Sequence, residues 1–364
     1  MIKINKININ ISKEEFEIGD SLLEFNISGN NIDYIIVNTL RRTIYSDIPI
    51  YVLTEYIFEK NNSIFHNNYL KNRISNLPIW GIDNNIDFIH NDIDINVDNE
   101  NDKDNNISEN DEDFFDEVDS YINENENKDK FNNLKEFSLY LNFKNNTNDI
   151  ITVTTDDSKF YYEQKLIKSP YVTPLPLIKL NKNEEILFTA ISKIGTEEQN
   201  GALFSAVCIA SFKMNDDNNF KFTLESRGQI NEKRIINVAI FNIKKKLNNL
   251  VKFINKNNNN DDDDDNYNDN EDDEDEDEDE DNKDNNNKKI ILNNEGDTLG
   301  NLISRGLQLH EDISFAGYNL PHPLIKKVHI HYRLKNEKSD IKKIIIDVVE
   351  YYKKIFNTIN KSFL

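Results

Sequence analysis

Two long acidic segments, rich in asparagine, limit which parts of this 364-residue chain can fold. Residues 83–130 carry 18 acidic and 3 basic side chains, and Asp261–Asp281 carries 17 acidic side chains and no basic one. Segments of this composition bury too little apolar surface to offset the conformational entropy lost on folding. We therefore interpret 83–130 as a disordered or weakly ordered insertion and 257–289 as an acidic linker.

The net charge of −23 belongs to these two segments, because the rest of the chain has more basic than acidic residues. Total charge is therefore a poor guide to the partners of the folded parts. Cys208 is the single cysteine, which excludes an internal disulfide and a metal site built from several cysteines. It lies in the run ALFSAVCIASF, where we expect a buried position in a strand.

The sequence has no feature typical of a membrane or secreted protein. No stretch approaches ~18 consecutive apolar residues, the length that a membrane-spanning helix needs. The N-terminal MIKINKININ lacks the apolar core of a signal peptide. We expect a soluble protein that is not secreted and has no membrane partner.

The first part of the sequence predicts a strand followed by a helix. Leu22–Ile27 contains alternating apolar residues, and the turn at Ser28–Asn31 supplies a helix cap. Apolar residues then recur at every fourth position, which predicts a helix of about four turns that ends before Pro49. They are Ile32, Ile36, Leu40, Ile44 and Ile48.

The middle of the sequence predicts a β-rich part and then a second long helix. Short runs of alternating apolar residues, such as Phe137–Phe143, follow one another as far as Gly228. Asn231 is the predicted cap of the helix that follows. The apolar residues of that helix, from Ile235 to Ile254, lie on one face.

The sequence after Lys289 predicts a small domain whose long C-terminal helix is capped by Ser339. The apolar residues of this helix, from Ile341 to Ile359, recur at spacings of three and four. This helix and the one after Asn231 each have an apolar face too wide for a small sheet, so we expect them to pair. The predicted fold class is α+β, with small antiparallel sheets and long helices.

The sequence gives little indication of catalytic chemistry. It contains no glycine-rich phosphate loop followed by Lys and Ser or Thr, and no nucleophile elbow. His329 and His331 share one face of the run KKVHIHYRL, and such a pair can hold a metal if a third ligand such as His322 is near. We favour histidines on an exposed or contact surface, and predict no catalytic, cofactor-binding or metal-binding residue. A metal enzyme is the open alternative.

The first specific motif is VNTLRRTIYSDIP, which contains Asn38, Leu40, Arg41, Arg42 and Pro49. A solvated basic helix face would explain an isolated Arg-Arg pair. The full pattern is Asn, a small residue, an aliphatic residue and Arg-Arg, followed by an acidic residue and Pro. It resembles the signature of the RNA polymerase alpha family, whose eukaryotic members are the third and eleventh subunits of RNA polymerase II.

Two further runs resemble elements of this family, in the same order along the chain. RISNLPI, which contains Arg73 and Pro78, resembles the element Arg-Leu-x-x-Ile-Pro-Leu. FTLESRG, which contains Glu225 and Gly228, resembles the strand that leads into the final dimerisation helix of the family.

The second specific motif lies beyond the acidic linker and has two blocks, EGDTLGNL and FAGYNLPHPL. These blocks are similar to the signature of the eleventh subunit, Asp-His-Thr-Leu-Gly-Asn and then Phe-Ala-Gly-Tyr-x-x-Pro-His-Pro. Gly296-Asp297 replaces Asp-His. Because glycine allows close backbone approach and the Pro-His-Pro triplet fixes an extended chain, we expect a tight packing junction here.

The resemblance implies a fusion of the two subunits, as in large DNA viruses, with two alpha-like dimerisation folds that pair within one chain as a pseudo-heterodimer. Residues 1–49 and 217–256 form the third-subunit-like domain, interrupted by an inserted β-rich domain over 50–216. The linker 257–289 then leads to the eleventh-subunit-like domain, 290–364.

The resemblance also implies a function without catalytic residues or a cofactor. Such a chain is a platform for the two large catalytic subunits and the small zinc-binding subunits of a DNA-dependent RNA polymerase, and makes no direct DNA contact. Its expected location is the virion and host cytoplasm if viral, and otherwise the nucleus. The predicted assembly interface consists of Asn38, Leu40, Arg41, Arg42, Pro49, Arg73, Pro78, Glu225, Gly228, Leu299, Gly300, Asn301, Phe315, Ala316, Gly317, Tyr318, Pro321, His322, Pro323 and Leu324.

A hypothesis of another class comes from the acidic linker. The 17 acidic residues of Asp261–Asp281 would suit a chaperone that binds histones or other basic proteins through 257–289. Under this hypothesis the linker is the functional element, and under the first one it is a spacer.

Overall fold

The structure is a computed structural model, which describes residues 10–14, 22–80, 137–162, 164–256, 288–336 and 338–363. The predictions made for 83–130, and for all of 257–289 except its last two residues, fall outside the described residues. Within the described part of the chain, no helix is both long and apolar enough to span a membrane. We call residues 10–256 the N-terminal part and residues 288–363 the C-terminal part.

Both parts of the chain contain strands and helices. In chain order they are β1 Asn10–Glu14, β2 Leu22–Ser28, α1 Tyr34–Ser46, β3 Ile50–Asn61, α2 Asn67–Ser75, β4 Phe137–Lys144, β5 Ile151–Thr154, β6 Ser158–Tyr162, β7 Lys165–Ile167, β8 Pro176–Leu180, β9 Glu185–Gly195, α3 Glu197–Asn200, β10 Val207–Asp216, β11 Asn219–Ser226, α4 Glu232–Lys256, β12 Lys288–Asn293, α5 Asp297–Gln308, β13 Ile313–Asn319, β14 Lys327–Leu334 and α6 Ile341–Lys361. The described chain is thus a mixed α+β fold, as predicted.

The first sheet has the antiparallel order β1-β2-β11-β10. Phe25 of β2 and Phe222 of β11 are opposite each other and stack with ring centres 5.1 Å apart. Both rings are buried, and helix α1 packs against β10 and against α4. The alternation of apolar residues in β2 and β11 therefore places one sheet face in the core.

The β-rich part contains a five-stranded sheet of order β3-β9-β4-β6-β7 and a separate pair, β5-β8. The predicted inserted domain, 50–216, differs from this arrangement at its end, because β10 (Val207–Asp216) pairs with β11 in the first sheet. The tight turn between β10 and β11 explains the difference, since strands joined by a hairpin pair with each other.

The C-terminal part has a third antiparallel sheet of order β12-β14-β13, with α5 packed on one face. Strand β12 begins at Lys288, two residues before the predicted boundary at 290. Val328, Ile330 and Tyr332 alternate along β14 and are buried beneath α5 and the rest of the core.

Helices of the two parts lie against each other: α4 packs against α6, and α1 packs against α5. Burial and the nearby Lys353 of α6 lower the pKa of Lys244 in α4, which reflects the close approach of these helices. At one end, the rings of Phe25 and Phe363 meet edge to face with centres 4.8 Å apart. The apolar faces predicted for both long helices are buried, from Ile235 to Ile254 and from Ile344 to Ile359.

Two predicted helix caps are wrong by a few residues, and one is supported. Asp33, not the turn at 28–31, caps α1 by accepting from the backbone of the next turn, and Asp340 replaces Ser339 at the start of α6. Aspartate competes well with Ser and Asn for this position. At α4, the backbone N–H of Lys233 donates to Oδ1 of Asn231 at 3.0 Å, as a cap there requires.

Cys208 is exposed, so the prediction of a buried strand position is wrong. The register of β10 shifts between Val207 and Ile209, where the strand has a bulge. An extra residue in a strand breaks the alternation of side chains between the two faces. Cys208 and Ile209 both lie outside the core for this reason.

Candidate assembly interface

The basic motif of α1 presents one fixed and one exposed cation. Nε and Nη2 of Arg41 both donate to Oδ1 of Asn38, at 3.0 and 2.9 Å. The Arg41 guanidinium also lies 5.9 Å from the centre of the Tyr45 ring, a cation–π distance. Arg42 is exposed on the same helix. The pair therefore offers a half-buried, oriented cation beside a solvent-facing one.

Several residues predicted to lie at the interface are internal in this chain. Leu40 is fully buried on the inner face of α1, and Pro49 is buried just before β3 begins. Leu299 and Ala316 are buried between α5 and its sheet. Their side chains stabilise the fold that carries the surface, and only the neighbouring residues are available for contacts.

Arg73 is exposed and held by the chain itself. Its Nε and Nη2 donate to the carbonyl oxygen of Pro176, at 3.1 and 2.7 Å, which ties α2 to β8. A guanidinium that makes two bonds to one carbonyl keeps further donors for another acceptor.

The chain around Pro78 meets the end of β11 through Trp80. Nε1 of Trp80 donates to the carbonyl oxygen of Arg227 at 3.1 Å. Gly228 has a φ of 88°, and a Cβ there would lie 2.5 Å from the Trp80 ring. The structure therefore brings the second and third family-like runs together, and glycine is required at their contact. Glu225, on β11 nearby, is half-buried.

The first block of the C-terminal motif positions α5 on its sheet. A Cβ on Gly300 would lie 2.7 Å from Val328 and 2.9 Å from the Tyr318 ring, so only glycine allows this approach. Asn301, the next residue, is half-buried. Gly300 thus allows the close packing of α5, and the side chain of Asn301 is partly accessible to a partner.

The second block divides between the two faces of the sheet. Ala316 is buried and the Tyr318 ring lies against α5, whereas Phe315 is 56% exposed on the opposite face. The Phe315 ring approaches Gly317, where a Cβ would lie 3.3 Å from its tip. Alternation along β13 explains this division.

Pro321, His322, Pro323 and Leu324 are all exposed in the loop between β13 and β14. These four residues therefore form no tight packing junction with the described part of this chain, and a junction with another protein stays a prediction. Nδ1 of His322 accepts from the backbone N–H of Leu324 at 3.1 Å, which closes a local turn. The turn presents Leu324, 88% exposed, to solvent.

Polar bonds connect the two parts of the chain beside the α1–α5 contact. Oδ1 of Asp33 accepts from two backbone N–H groups of α1, and its Oδ2 accepts from Nε of Arg305 in α5 at 3.1 Å. Nδ2 of Asn31 donates to the Tyr351 hydroxyl of α6 at 3.4 Å. Local sequence patterns do not reveal these residues, because nothing in such a pattern pairs positions that are 272 or 320 apart.

A cluster of charged residues lies at a second contact between the parts. Nζ of Lys246 in α4 is 2.8 Å from Oδ2 of Asp47, which ends α1. Nζ of Lys326, from the β13–β14 loop, is 3.0 Å from Oε1 of Glu198 in α3. Glu295, just before α5, interacts electrostatically with all four of these groups. The cluster therefore combines residues of both parts.

Burial and the mixed charges perturb this cluster strongly. Burial, with repulsion by Asp47 and Glu198, raises the pKa of Glu295 to about 7, although Lys246 and Lys326 oppose the rise. Burial lowers the pKa of Lys246, but the carboxylates of Asp47, Glu295 and Glu198 outweigh it, and the net shift is upward. Lys246 is thus a firmly charged centre among three acids.

In the described part of the chain, no third metal ligand accompanies His329 and His331. His329 and His331 lie side by side with ring centres 6.4 Å apart, and His331 Nε2 bonds to Oδ1 of Asn319 at 2.9 Å. His322 lies in the exposed turn. Within the described ranges, no group of three or more His, Cys, Asp or Glu side chains is placed to hold a metal ion.

Comparison with known proteins identifies a protein family that is similar to the C-terminal part of this chain. The family model of the RNA polymerase Rpb3/Rpb11 dimerisation domain matches residues 287–362, which span β12 to α6. The similarity to this family is therefore located in the C-terminal part of the chain.

One relative extends the similarity to RNA polymerase subunits over most of the chain. The putative DNA-directed RNA polymerase subunit R470 of Acanthamoeba polyphaga mimivirus is 27% identical over 351 residues, which cover 93% of this chain and 89% of the relative. The RPAC2 subunit of RNA polymerases I and III from Caenorhabditis briggsae is 31% identical over 77 residues, and rpb11 of RNA polymerase II from Dictyostelium discoideum is 34% identical over 70. The resemblance to the RNA polymerase alpha-type family is confirmed.

The mimivirus relative aligns with most of this chain, whereas the RPAC2 and rpb11 relatives align with a short part of it. The RPAC2 and rpb11 matches cover 21% and 19% of this chain, and this chain covers 52% and 58% of those relatives, that is, about half their length. The mimivirus relative spans both parts of the chain. The Rpb3/Rpb11 family match includes Arg305 and α6, and thus the C-terminal side of the contacts described above.

Proposed function

We propose that this chain is a non-catalytic assembly subunit of a multisubunit DNA-dependent RNA polymerase. Its N-terminal part, with the inserted β-rich part, acts as the third-subunit-like half, and its C-terminal part acts as the eleventh-subunit-like half. The two halves pair within one chain as a pseudo-heterodimer. The domain boundaries of this proposal are those of the sequence analysis, with β10 joined to the first sheet.

The observation that carries this proposal is the direct packing of α4 on α6 and of α1 on α5. A family described by its dimerisation domain matches the C-terminal half, and here that half packs on helices of the same chain. Apolar helix faces that cover each other are the main source of stability in such contacts. The Asp33–Arg305 bond adds orientation to this apolar contact.

The platform role rests on the surface that this pairing leaves uncovered. Arg42 and the oriented Arg41 form a cationic surface on α1 that suits a carboxylate-bearing partner. Leu324, in the turn between β13 and β14, is a large apolar side chain that reaches solvent and is available to a partner protein. We assign these surfaces to the two large catalytic subunits and to small zinc-binding subunits.

The mimivirus relative supports a polymerase of viral type, with the virion and host cytoplasm as its location. The proposal expects no direct DNA contact, no cofactor and no catalytic residue in this chain.

Affinity purification tests the platform role. The tagged chain, expressed with the other subunits of its polymerase, is expected to bring down the two largest ones. Arg42→Glu should reduce their recovery several-fold because it places a repulsive charge at the contact. Lys179→Glu, an exposed change of the same charge on β8, is the matched control and should leave recovery unchanged. Equal recovery with both variants would contradict the assignment of the α1 surface.

The acidic linker supports the second candidate function, a chaperone for histones or other basic proteins. Replacing 257–287 with a neutral segment of equal length separates the two functions. A platform subunit retains assembly of the polymerase after this change, whereas a chaperone loses its binding of a histone mixture. Loss of assembly together with loss of histone binding would favour the chaperone.

A further inference from the structure

The sheet of the C-terminal part has one face that α5 does not cover. Its side chains alternate with the buried residues of the same strands. We call this surface the outer sheet face, and it consists of Lys289 and Ile291 of β12, Lys327, His329, His331 and Arg333 of β14, and Phe315, Gly317 and Asn319 of β13. Cross-strand pairing places Lys289 opposite His331, and Ile291 opposite His329.

The outer sheet face is cationic and without carboxylates. The three strands, KKIILN, ISFAGYN and KVHIHYRL, contain no Asp or Glu. Lys289 and Lys327 are exposed at its surface. Such an arrangement costs electrostatic energy from like-charge repulsion, which an anionic partner would relieve.

The pKa of His329 is consistent with the positive charge of this face. His329 faces Lys289 from β12 and Lys327 and His331 from its own strand, and burial followed by these positive charges lowers its pKa. His331 bonds to Asn319 of β13, so a polar and not an acidic group faces it from that side.

We propose that the outer sheet face is a docking surface for an acidic polypeptide, and that its occupant is the segment Asp261–Asp281 of the same chain. The proposal concerns a contact within the chain and does not depend on the polymerase function. It gives the acidic segment a binding partner in addition to a spacer role.

Charge and chain length favour this occupant. The segment supplies 17 carboxylates and no cation, opposite in sign to the face. It ends seven residues before Lys288, the first residue of the edge strand β12, and seven residues reach about 25 Å when extended. A strand of six residues is about 20 Å long, so the segment can reach any point of the face. Attachment to the same chain gives an effective concentration in the millimolar range.

Histidine titration tests the proposal in the full chain. The probe is the ¹³C-labelled side chain of His329, followed by NMR as a function of pH at low salt in the wild type and in a variant with all 17 acids changed to Asn or Gln. We expect the titration midpoint of His329 to be higher in the wild type, because nearby carboxylates stabilise the imidazolium. The difference should disappear at high salt, and exposed His322 provides the reference signal.

Carboxylate–amine crosslinking with a zero-length reagent is the second measurement. Crosslinks from Lys327 to Asp261–Asp281 should be several-fold more abundant than crosslinks from Lys179, an exposed lysine on β8. Lys289 is too close in sequence to be informative.

Several results would overturn the proposal. Equal His329 midpoints in the wild type and the neutral variant, with equal melting temperatures, would show that the segment does not reach the face. A difference that grows with protein concentration would assign the contact to a second copy. A shift caused by an equimolar single-stranded RNA oligonucleotide, equal in both variants, would assign the face to nucleic acid.

Discussion

Nε of Arg305 donates to Oδ2 of Asp33 at 3.1 Å, while Oδ1 of the same carboxylate caps α1. One side chain thus both begins a helix of the N-terminal part and binds a helix of the C-terminal part. Through Asp33, the position of α1 is fixed relative to α5.

The first prediction concerns this bond. Asp33→Asn retains an acceptor for the cap and removes the charge, and Arg305→Met retains the length of the side chain. A double-mutant cycle in urea should give a coupling free energy of about 0.5–1 kcal/mol, because both side chains are partly exposed to solvent. A coupling free energy of zero would mean that the bond has no part in holding the two parts together.

The second prediction is a pH dependence that arises from Glu295. Its pKa is raised to about 7 in the folded chain, against 4.5 for the ordinary group. The folded state therefore binds the proton more tightly, so the stabilisation is complete below about pH 4.5 and is lost as the pH rises through 7. Glu295→Gln should remove this loss and be more stable than the wild type above pH 7, by up to about 3 kcal/mol.

Urea unfolding of both proteins from pH 5 to pH 8.5 measures this difference. Glu59→Gln, at an exposed position of β3, is the matched control and should parallel the wild type. A constant difference between Glu295→Gln and the wild type over the whole range would contradict the shifted pKa.

The third prediction concerns the packing of α5 on its sheet. Gly300→Ala would place a Cβ within 3 Å of both Val328 and Tyr318, and overpacking of this kind costs about 1–3 kcal/mol. Gly296→Ala, where no atom lies within 4 Å of the added Cβ, should cost clearly less. Thermal unfolding of the two variants checks the order, and a smaller loss for Gly300→Ala would be inconsistent with the close approach.

The fourth prediction separates folding from assembly at the β13–β14 loop. Leu324 is 88% exposed, so Leu324→Asp should change the free energy of unfolding by no more than about 0.5 kcal/mol. If the exposed turn is a contact of the proposed platform, the same variant loses recovery of the large polymerase subunits. Val172→Asp, at a position that is 96% exposed in the β-rich part, should affect neither measurement.

Local patterns in the sequence predicted the helices well, because burial of one face imposes a periodicity that single residues reveal. Ile36, Leu40 and Ile44, which are four residues apart in the sequence, lie on the buried face of α1. Contacts between distant segments leave no such pattern, so the Arg305–Asp33 bond could not be predicted from the sequence. The bulge that exposes Cys208 could not be predicted either, because alternating apolar residues in a sequence do not show where a strand contains an extra residue.

The family-like motifs do not show which of their residues are accessible for contacts. Gly300 and Ala316 are packing residues, whereas Arg42 and Leu324 are accessible. Whether a residue is exposed to solvent depends on the face that it occupies in the folded chain. For the loop at 321–324, the spacing of the motif does not predict this exposure. The structure thereby narrows the predicted interface to its exposed members.

The most direct test of intramolecular pairing is to cut the chain between the two parts. A specific protease site placed within 257–287 would allow cleavage of the folded protein, and light scattering after size exclusion would measure the mass before and after. We predict a monomer of about 42.7 kDa that keeps this mass after cleavage, because α4–α6 and α1–α5 contacts hold the fragments together. Separation of the fragments at micromolar concentration, or a dimer that is stable before cleavage, would contradict the account.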